Sequence, residues 1–396
     1  MKKVIFKFFG IAALSSAIFV TSCSGDDEGG ETPIGSDSLT WEQALSESQS
    51  GPIQGKTVTL TAGNYELTGK LVIGEGSILT IPAGTTITAT SANAYVAIAQ
   101  GGKIDAQGST SSPIVFTSAQ SIWLPNTQGQ GSWGGLVICG KAPINKASSA
   151  TSEVADLTYG GNEPNDNSGI LKYIRIEYAG KIITGEKEFN GLTLFGVGAG
   201  TTVSYIQAYH GSDDGFEFFG GTVNTDHLVS TGNEDDQFDW TEGWNGTNSY
   251  WYGKEGFSSG NRGMECDNLE ANFDVTPISE PTVSNLTLVG LGDQGAEPQG
   301  LKLRHGTKAH FSNVVLANWA TGIDIQHDQS LSFIPSGLFV QGVKFVNIIT
   351  SAKGTNTAGG SVDVSNAYSV NNDATGAGNG VNLPDWAQGW TNMSGL

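Results

Sequence analysis

Along this chain, apolar residues alternate with polar ones over four or five positions and then stop at Gly, Asn or Asp. Alternation on that scale predicts short strands separated by tight turns. The strands fall at Thr57 to Leu60, Lys70 to Ile73, Ile78 to Ile81, Thr86 to Ala89, Tyr95 to Ile98, Lys103 to Ala106 and Ile114 to Thr117. One helix is expected. Thr40-Trp41-Glu42-Gln43 has the form of a capping box opening a helix to about Ser48, placed as a lid over the first coil.

The pattern then repeats. Gly211-Ser212-Asp213-Asp214-Gly215-Phe216-Glu217-Phe218 returns as Gly232-Asn233-Glu234-Asp235-Asp236-Gln237-Phe238-Asp239-Trp240, an echo at 22 residues that sets Ile206 on Leu228 and Phe216 on Phe238. Repetition at this period predicts stacked coils. Later coils share a Gly-apolar-x-apolar unit, seen at Gly191-Leu192-Thr193-Leu194, Gly215-Phe216-Glu217-Phe218, Gly263-Met264-Glu265-Cys266, Gly300-Leu301-Lys302-Leu303 and Gly322-Ile323-Asp324-Ile325. The period-two rule turns each apolar pair inward and the residue between them outward. Glu217, Asp239, Glu265, Lys302 and Asp324 are therefore expected to form one outer column, and the 22-residue step from Gly300 to Gly322 places His305 over His327.

Ile78-Leu79-Thr80-Ile81-Pro82-Ala83-Gly84-Thr85-Thr86-Ile87, Gly101-Gly102-Lys103-Ile104-Asp105-Ala106-Gln107-Gly108 and Pro113-Ile114-Val115-Phe116-Thr117 resemble the opening coils of right-handed parallel β-helix proteins of the pectin-lyase-like kind. Gly131-Ser132-Trp133-Gly134-Gly135-Leu136 resembles a tryptophan-glycine element of such proteins from Bacteroidota. The resemblance covers roughly residues 56 to 370 and implies an all-β solenoid. Its motifs specify architecture far better than activity. Trp386 and Trp390, near Pro384, read as a second cap, which makes residues 38–396 a single domain.

The beginning of the chain reads differently. Lys2, Lys3 and Lys7 precede an apolar run to Val20, the form of a secretion signal over residues 1–22. Val20-Thr21-Ser22-Cys23 resembles the lipobox of bacterial lipoproteins, which implies cleavage before Cys23 and a diacylglyceryl thioether on its sulfur. The acidic run Ser24-Gly25-Asp26-Asp27-Glu28-Gly29-Gly30 is similar to the export signal of Bacteroidota surface lipoproteins, and it is equally readable as part of a plain flexible tether over residues 23–37. Asp37-Ser38-Leu39 resembles the short O-glycosylation motif of that phylum. Together these imply a lipid-anchored protein of the outer membrane, exposed at the cell surface.

Composition narrows the partners. Gly accounts for 56 of 396 residues, about twice the usual ~7%, as a turn-rich solenoid requires. The formal charge is -20, and loss of the three signal lysines makes it -20 - 3 = -23. Nucleic acid is excluded, and a polyanionic glycan is repelled unless a cation intervenes. Beyond Cys23, only Cys139 and Cys266 remain, free to pair or simply to be buried.

Nine carboxylates lie between Asp213 and Glu242 with no Lys or Arg among them. Asp213, Asp214, Asp235 and Asp236 are candidate Ca²⁺ ligands, because that ion takes six to eight oxygens in variable geometry; solvated turn aspartates are the other reading. Glu217 and Asp239 on neighbouring coils approach the roughly 5 to 10 Å separation of a glycosidase pair, although the Asn-Thr-Asp, Gly-His-Gly and Arg-Ile-Lys elements of polygalacturonases do not accompany Asp213-Asp214. Lys302 and Arg304, with His305 and Arg262, suit a lyase base or the plain neutralisation of the acidic column. Trp240, Trp244, Tyr250, Trp251 and Tyr252 offer flat faces for sugar rings, or else pack the excursion against the coil. His305 and His327 form a candidate transition-metal pair.

The function expected from these features is binding of an extracellular ligand, a glycan, through the acidic and aromatic coils. A polysaccharide lyase or hydrolase using Glu217, Asp239, Lys302 and Arg304, and a structural adhesin or accessory to an outer-membrane receptor, are the alternatives.

Overall fold

In the computed structural model, the residues described are 37–119, 131–184, 187–256, 260–336 and 339–396. The signal, most of the tether and Cys23 lie outside them. Backbone contacts divide the chain into Met1–Gly35 and Ser36–Leu396, and the second unit holds every element discussed below.

Two long sheets run the length of this unit, one of 15 strands and one of 11, and their neighbouring strands are parallel except where Ser361–Val362 turns back on Thr350–Thr355. From Gly169–Glu177 to Thr350–Thr355 each coil contributes one strand to each sheet, whereas the earlier coils add a second strand, Asn64–Leu67, Thr86–Ala89 or Ile114–Ser118, to the larger one. The fold is the all-β parallel solenoid expected. The echo is exact in register: Ile206 pairs with Leu228, Phe216 with Phe238 and Leu301 with Ile323. Lys70–Ile73, Thr86–Ala89 and Tyr95–Ile98 match the expected strands residue for residue. Asn64–Leu67 is a strand beyond those expected, although its Tyr65 and Leu67 do alternate with polar Asn64 and Glu66.

The apolar members of the Gly-apolar-x-apolar units are fully buried: Leu192, Leu194, Phe216, Phe218, Phe238, Trp240, Met264, Cys266, Leu301, Leu303, Ile323 and Ile325 have no exposed surface. They form a continuous internal stack in which each ring covers the next. Phe216 lies 5.5 Å from Phe238, and Phe238 lies 4.6 Å from Trp251 on the opposite sheet. The tryptophan-glycine element has a similar steric cause. A Cβ on Gly135 would approach the Asn190 carbonyl to 2.2 Å, so only glycine lets the two coils stack there.

Strands of the 15-stranded sheet bend at one repeated position. Tyr173, Tyr205, His227, Tyr250, Asn285 and Asn313 all have φ between 50° and 59° on successive coils. Their side chains stack outside the core, with Tyr205 4.2 Å from His227 and His227 4.8 Å from Tyr250.

The first cap forms as its sequence predicts. Trp41–Ser48 is helical, Thr40 accepts from the Gln43 amide, and Gln43 accepts from that of Thr40. The C-terminus departs from expectation. Instead of closing the last coil, residues 375–396 run back along the outside of the 15-stranded sheet. Trp390 packs on Tyr173 and Tyr205, Trp386 meets His227 edge-on at 4.8 Å, and Asn392 bonds through its main chain to Gln207. The bent-strand aromatics give the segment an apolar seat along the side of the sheet.

Cys139 and Cys266 are both buried and unbridged. Cys266 belongs to the internal stack, whereas Cys139 packs with Val137 and Phe195 on the other face of the same sheet. Burial pushes the Cys139 thiol up to about 12, which makes it inert near neutral pH.

Candidate functional site

The outer column of the 11-stranded sheet forms as the alternation requires. Thr193, Glu217, Asp239, Glu265, Lys302, Asp324 and Lys353 are successive register partners. Rather than standing free in solvent, Glu265, Lys302 and Asp324 are buried, while Glu217 and Asp239 are partly so. Excursions between strands fold over this face: Tyr159 and Lys146 reach Glu242, and Glu297 reaches Lys302.

A second ladder runs beside the column at the turns. Asn190 accepts the Asp214 amide, Asp214 accepts that of Asp236, and Asp236 accepts that of Arg262, at 2.9–3.2 Å. Each side chain thus caps the equivalent residue on the next coil. This accounts for the 22-residue echo chemically: a polar acceptor at that position satisfies a backbone donor that no strand pairs.

Charge is distributed unevenly along this face. At the later coils, Arg262 meets Asp236 at 3.1 Å, Glu265 at 3.0 Å and Glu297 at 2.9 Å. Lys302 meets Glu297 at 2.5 Å, and Arg304 binds both Asp267, at 2.9 Å, and Glu265. At the earlier coils, Asp213, Asp214, Glu217, Asp235 and Asp239 make no ion pair among the described residues. Their oxygens nevertheless converge. Asp213, Asp214 and Asp235 form one group with ligand atoms within 4.8 Å of one another, and Asp214, Glu217 and Asp239 form a second. A third group, Asp236, Asp239 and Glu265, adjoins Arg262.

Such proximity perturbs ionisation. Burial, followed by repulsion from neighbouring carboxylates, holds Asp213, Asp214, Glu217 and Asp239 well above the usual carboxylate range. Glu153, which faces Glu242, is raised to about 7 by burial, partly offset by Lys146. Facing carboxylates in a desolvated site cannot all ionise without a counter-charge, so the site takes up either protons or a cation. The sign follows. A carboxyl whose folded pKa exceeds its unfolded value contributes most at low pH and loses that contribution as pH rises through the folded pKa. With metal removed by chelator, the protein should therefore melt at a higher temperature near pH 5 than near neutrality, over the window from the ordinary value of 4.5 to the value of about 7 at Glu153. A melting temperature that rises monotonically from pH 5 to neutrality would contradict this.

The five aromatic side chains expected at the surface divide sharply. Trp240, Trp244 and Trp251 are completely buried and Tyr252 nearly so; only Tyr250 is exposed, at 37%. Their indole N–H groups are satisfied internally, by Thr307, the Val223 carbonyl and Thr225. The tryptophans therefore form core and no sugar platform. The alternation rule already placed Trp240 inward, beside Phe238, and register with Leu228 and Leu286 does the same for Trp251. His305 and His327 do stack, 4.5 Å apart and 12° from parallel. Nδ1 of His305 faces Asp267 and Nδ1 of His327 accepts the His305 amide, so neither atom is open to a transition metal.

A sequence model of the pectate-lyase-like beta helix domain matches residues 51–391. The chain belongs to this family. No curated protein matches it. Within this pectate-lyase-like β-helix, Lys302 and Arg304 are each tied to two carboxylates, which fits neutralisation of the acidic column better than service as a base. Sequence reasoning missed Asn190, Glu153 and Glu297. Asn190 lies one residue before the first Gly-apolar-x-apolar unit, in the slot that Asp214 and Asp236 occupy later, so the repeat itself carried the signal.

Proposed function

We propose that this β-helix binds extracellular glycan at the outer face of its 11-stranded sheet, with Ca²⁺ held by Asp213, Asp214, Glu217, Asp235 and Asp239 as part of the contact. The observation that carries the reading is the convergence of these five side chains, in two groups sharing Asp214, without a cationic partner among the described residues. Hard carboxylate oxygens in variable geometry suit Ca²⁺. Four of the five remain partly open to solvent, so coordination positions are left for ligand hydroxyls.

Membership of a pectate-lyase-like family supports a carbohydrate ligand. Binding is favoured over cleavage because the basic groups a lyase would use are engaged in ion pairs. In this reading Cys23 carries the lipid and the outer membrane is the anchorage, as its lipobox-like surroundings imply.

A glycan array probed with residues 38–396 tests the reading, run once with Ca²⁺ and once with chelator. Binding that disappears with chelator, with no release of new reducing or unsaturated ends, is the expected outcome. Product release abolished by Glu217→Gln would establish an enzyme instead. Absence of any glycan binding, together with co-purification of an outer-membrane receptor, would replace the proposal with the accessory reading.

A further inference from the structure

A concavity lies on the same face, at strands that precede the carboxylate groups in the sheet. Lys70, Asn93, Tyr95, Asp156, Lys181 and Phe189 line a cavity of about 430 Å³. Lys70 and Tyr95 are register partners on adjacent strands, which fixes their side chains next to each other on the outer surface. Tyr95 and Phe189 form one wall, with ring centroids 5.2 Å apart and planes inclined by 33°. Lys181 crosses to Asn93, donating to its Oδ1 at 2.8 Å.

The charges here run against those of the molecule. In a chain of net charge -20, eight of the sixteen basic side chains among the described residues pair with carboxylates, Lys56, Lys146, Lys302, Lys308 and Lys353 among them. Lys70 and Lys181 make no ion pair with any carboxylate among the described residues, although Asp156 stands exposed at the rim. Two ammonium groups beside an aromatic wall are complementary to a ring bearing one negative charge. The volume suits one or two sugar rings and is too small for an extended chain.

We infer that this pocket binds the anionic terminal sugar of a glycan, its carboxylate or sulfate between Lys70 and Lys181 and its ring against Tyr95 and Phe189. The inference rests on the glycan reading above for the ring, but its charge selection requires no calcium. Position connects the two sites. Phe189 precedes Asn190, which bonds Glu217, and Lys181 follows Gly180, which packs on the backbone of Ser212 and Asp213. A glycan leaving the pocket by this side would pass over the carboxylate groups.

The test is calorimetric titration of residues 38–396, in chelator, with methyl glucuronide, glucose 6-sulfate and the neutral methyl glucoside. One of the two anionic sugars should bind at least about tenfold more tightly than the neutral one, the worth of a charge-assisted hydrogen bond. That preference should weaken with added salt. Which anion wins identifies the charged group. Lys70→Met with Lys181→Met should erase the preference without changing the melting temperature, and Lys181→Gln alone should reduce it if the double variant folds poorly. Asp213→Asn with Asp214→Asn should leave it intact, so that failure of the calcium site and failure of this pocket are read separately. Equal affinity for the neutral sugar, a preference that survives the lysine substitutions, or no binding of either anion would overturn the inference.

Discussion

Replacing Arg262 by alanine should destabilise the solenoid by about 3–5 kcal/mol, the cost of leaving a buried charge without its partner. Arg262 is 9% exposed and touches Asp236, Glu265 and Glu297 at once. Its loss would leave buried Asp236 without a cation and so extend the unneutralised stretch of carboxylates, while Glu265 and Glu297 would keep Arg304 and Lys302. Lysine at this position should recover only part of the loss, because a single ammonium group cannot reproduce the planar fork that reaches three carboxylates. Denaturant unfolding of Arg262→Ala and Arg262→Lys measures both. A loss below about 1 kcal/mol, the range of exposed ion pairs, would show that the carboxylates here are solvated after all.

Trp251→Ala should cost a comparable amount, about 3–5 kcal/mol, for a different reason. Its ring lies 4.6 Å from Phe238, 5.7 Å from Phe218 and 6.2 Å from Trp244, so truncation opens a void in the stack that joins the two sheets. The indole N–H bonds Thr225, whose hydroxyl would lose that partner. The second half of the prediction separates core from ligand site. Protein that remains folded should bind glycan with unchanged affinity, because the side chain has no exposed surface. Intact stability with lost binding would restore the aromatic platform that burial rules out.

The sequence made the solenoid legible because its signal is local and repeated. Short apolar runs set between turn residues place Lys70–Ile73 and Tyr95–Ile98, and the spacing of Gly-apolar-x-apolar units orders the column from Glu217 to Asp324. Three features were not legible. Whether an outward residue is exposed depends on what folds over it, and the excursions that bring Tyr159 to Glu242 and Glu297 to Lys302 carry no period. The tryptophans between Phe238 and Phe257 misled for the converse reason: a run rich in Gly, Asn and aromatic residues resembles a loop, although Thr247–Lys254 is a strand with Trp251 facing inward. The seat of Trp386 and Trp390 was likewise hidden, since it rests on left-handed bends at Tyr173 and Tyr205 that no local pattern announces.

The acidic groups are where sequence, fold and chemistry meet. Asp214 belongs to both cation-free groups and also caps the Asp236 amide, so it links the ladder that builds the coils to the oxygens that would hold an ion. Titration of Ca²⁺ into chelator-stripped protein near neutral pH, with melting temperature followed in parallel, is the most direct test of this account. Saturable binding that raises the melting temperature, and that Asp214→Asn removes, is the result predicted. No heat of binding and no change in melting temperature, in wild-type protein that is demonstrably free of metal, would contradict it and leave protons as the only counter-charge at the site.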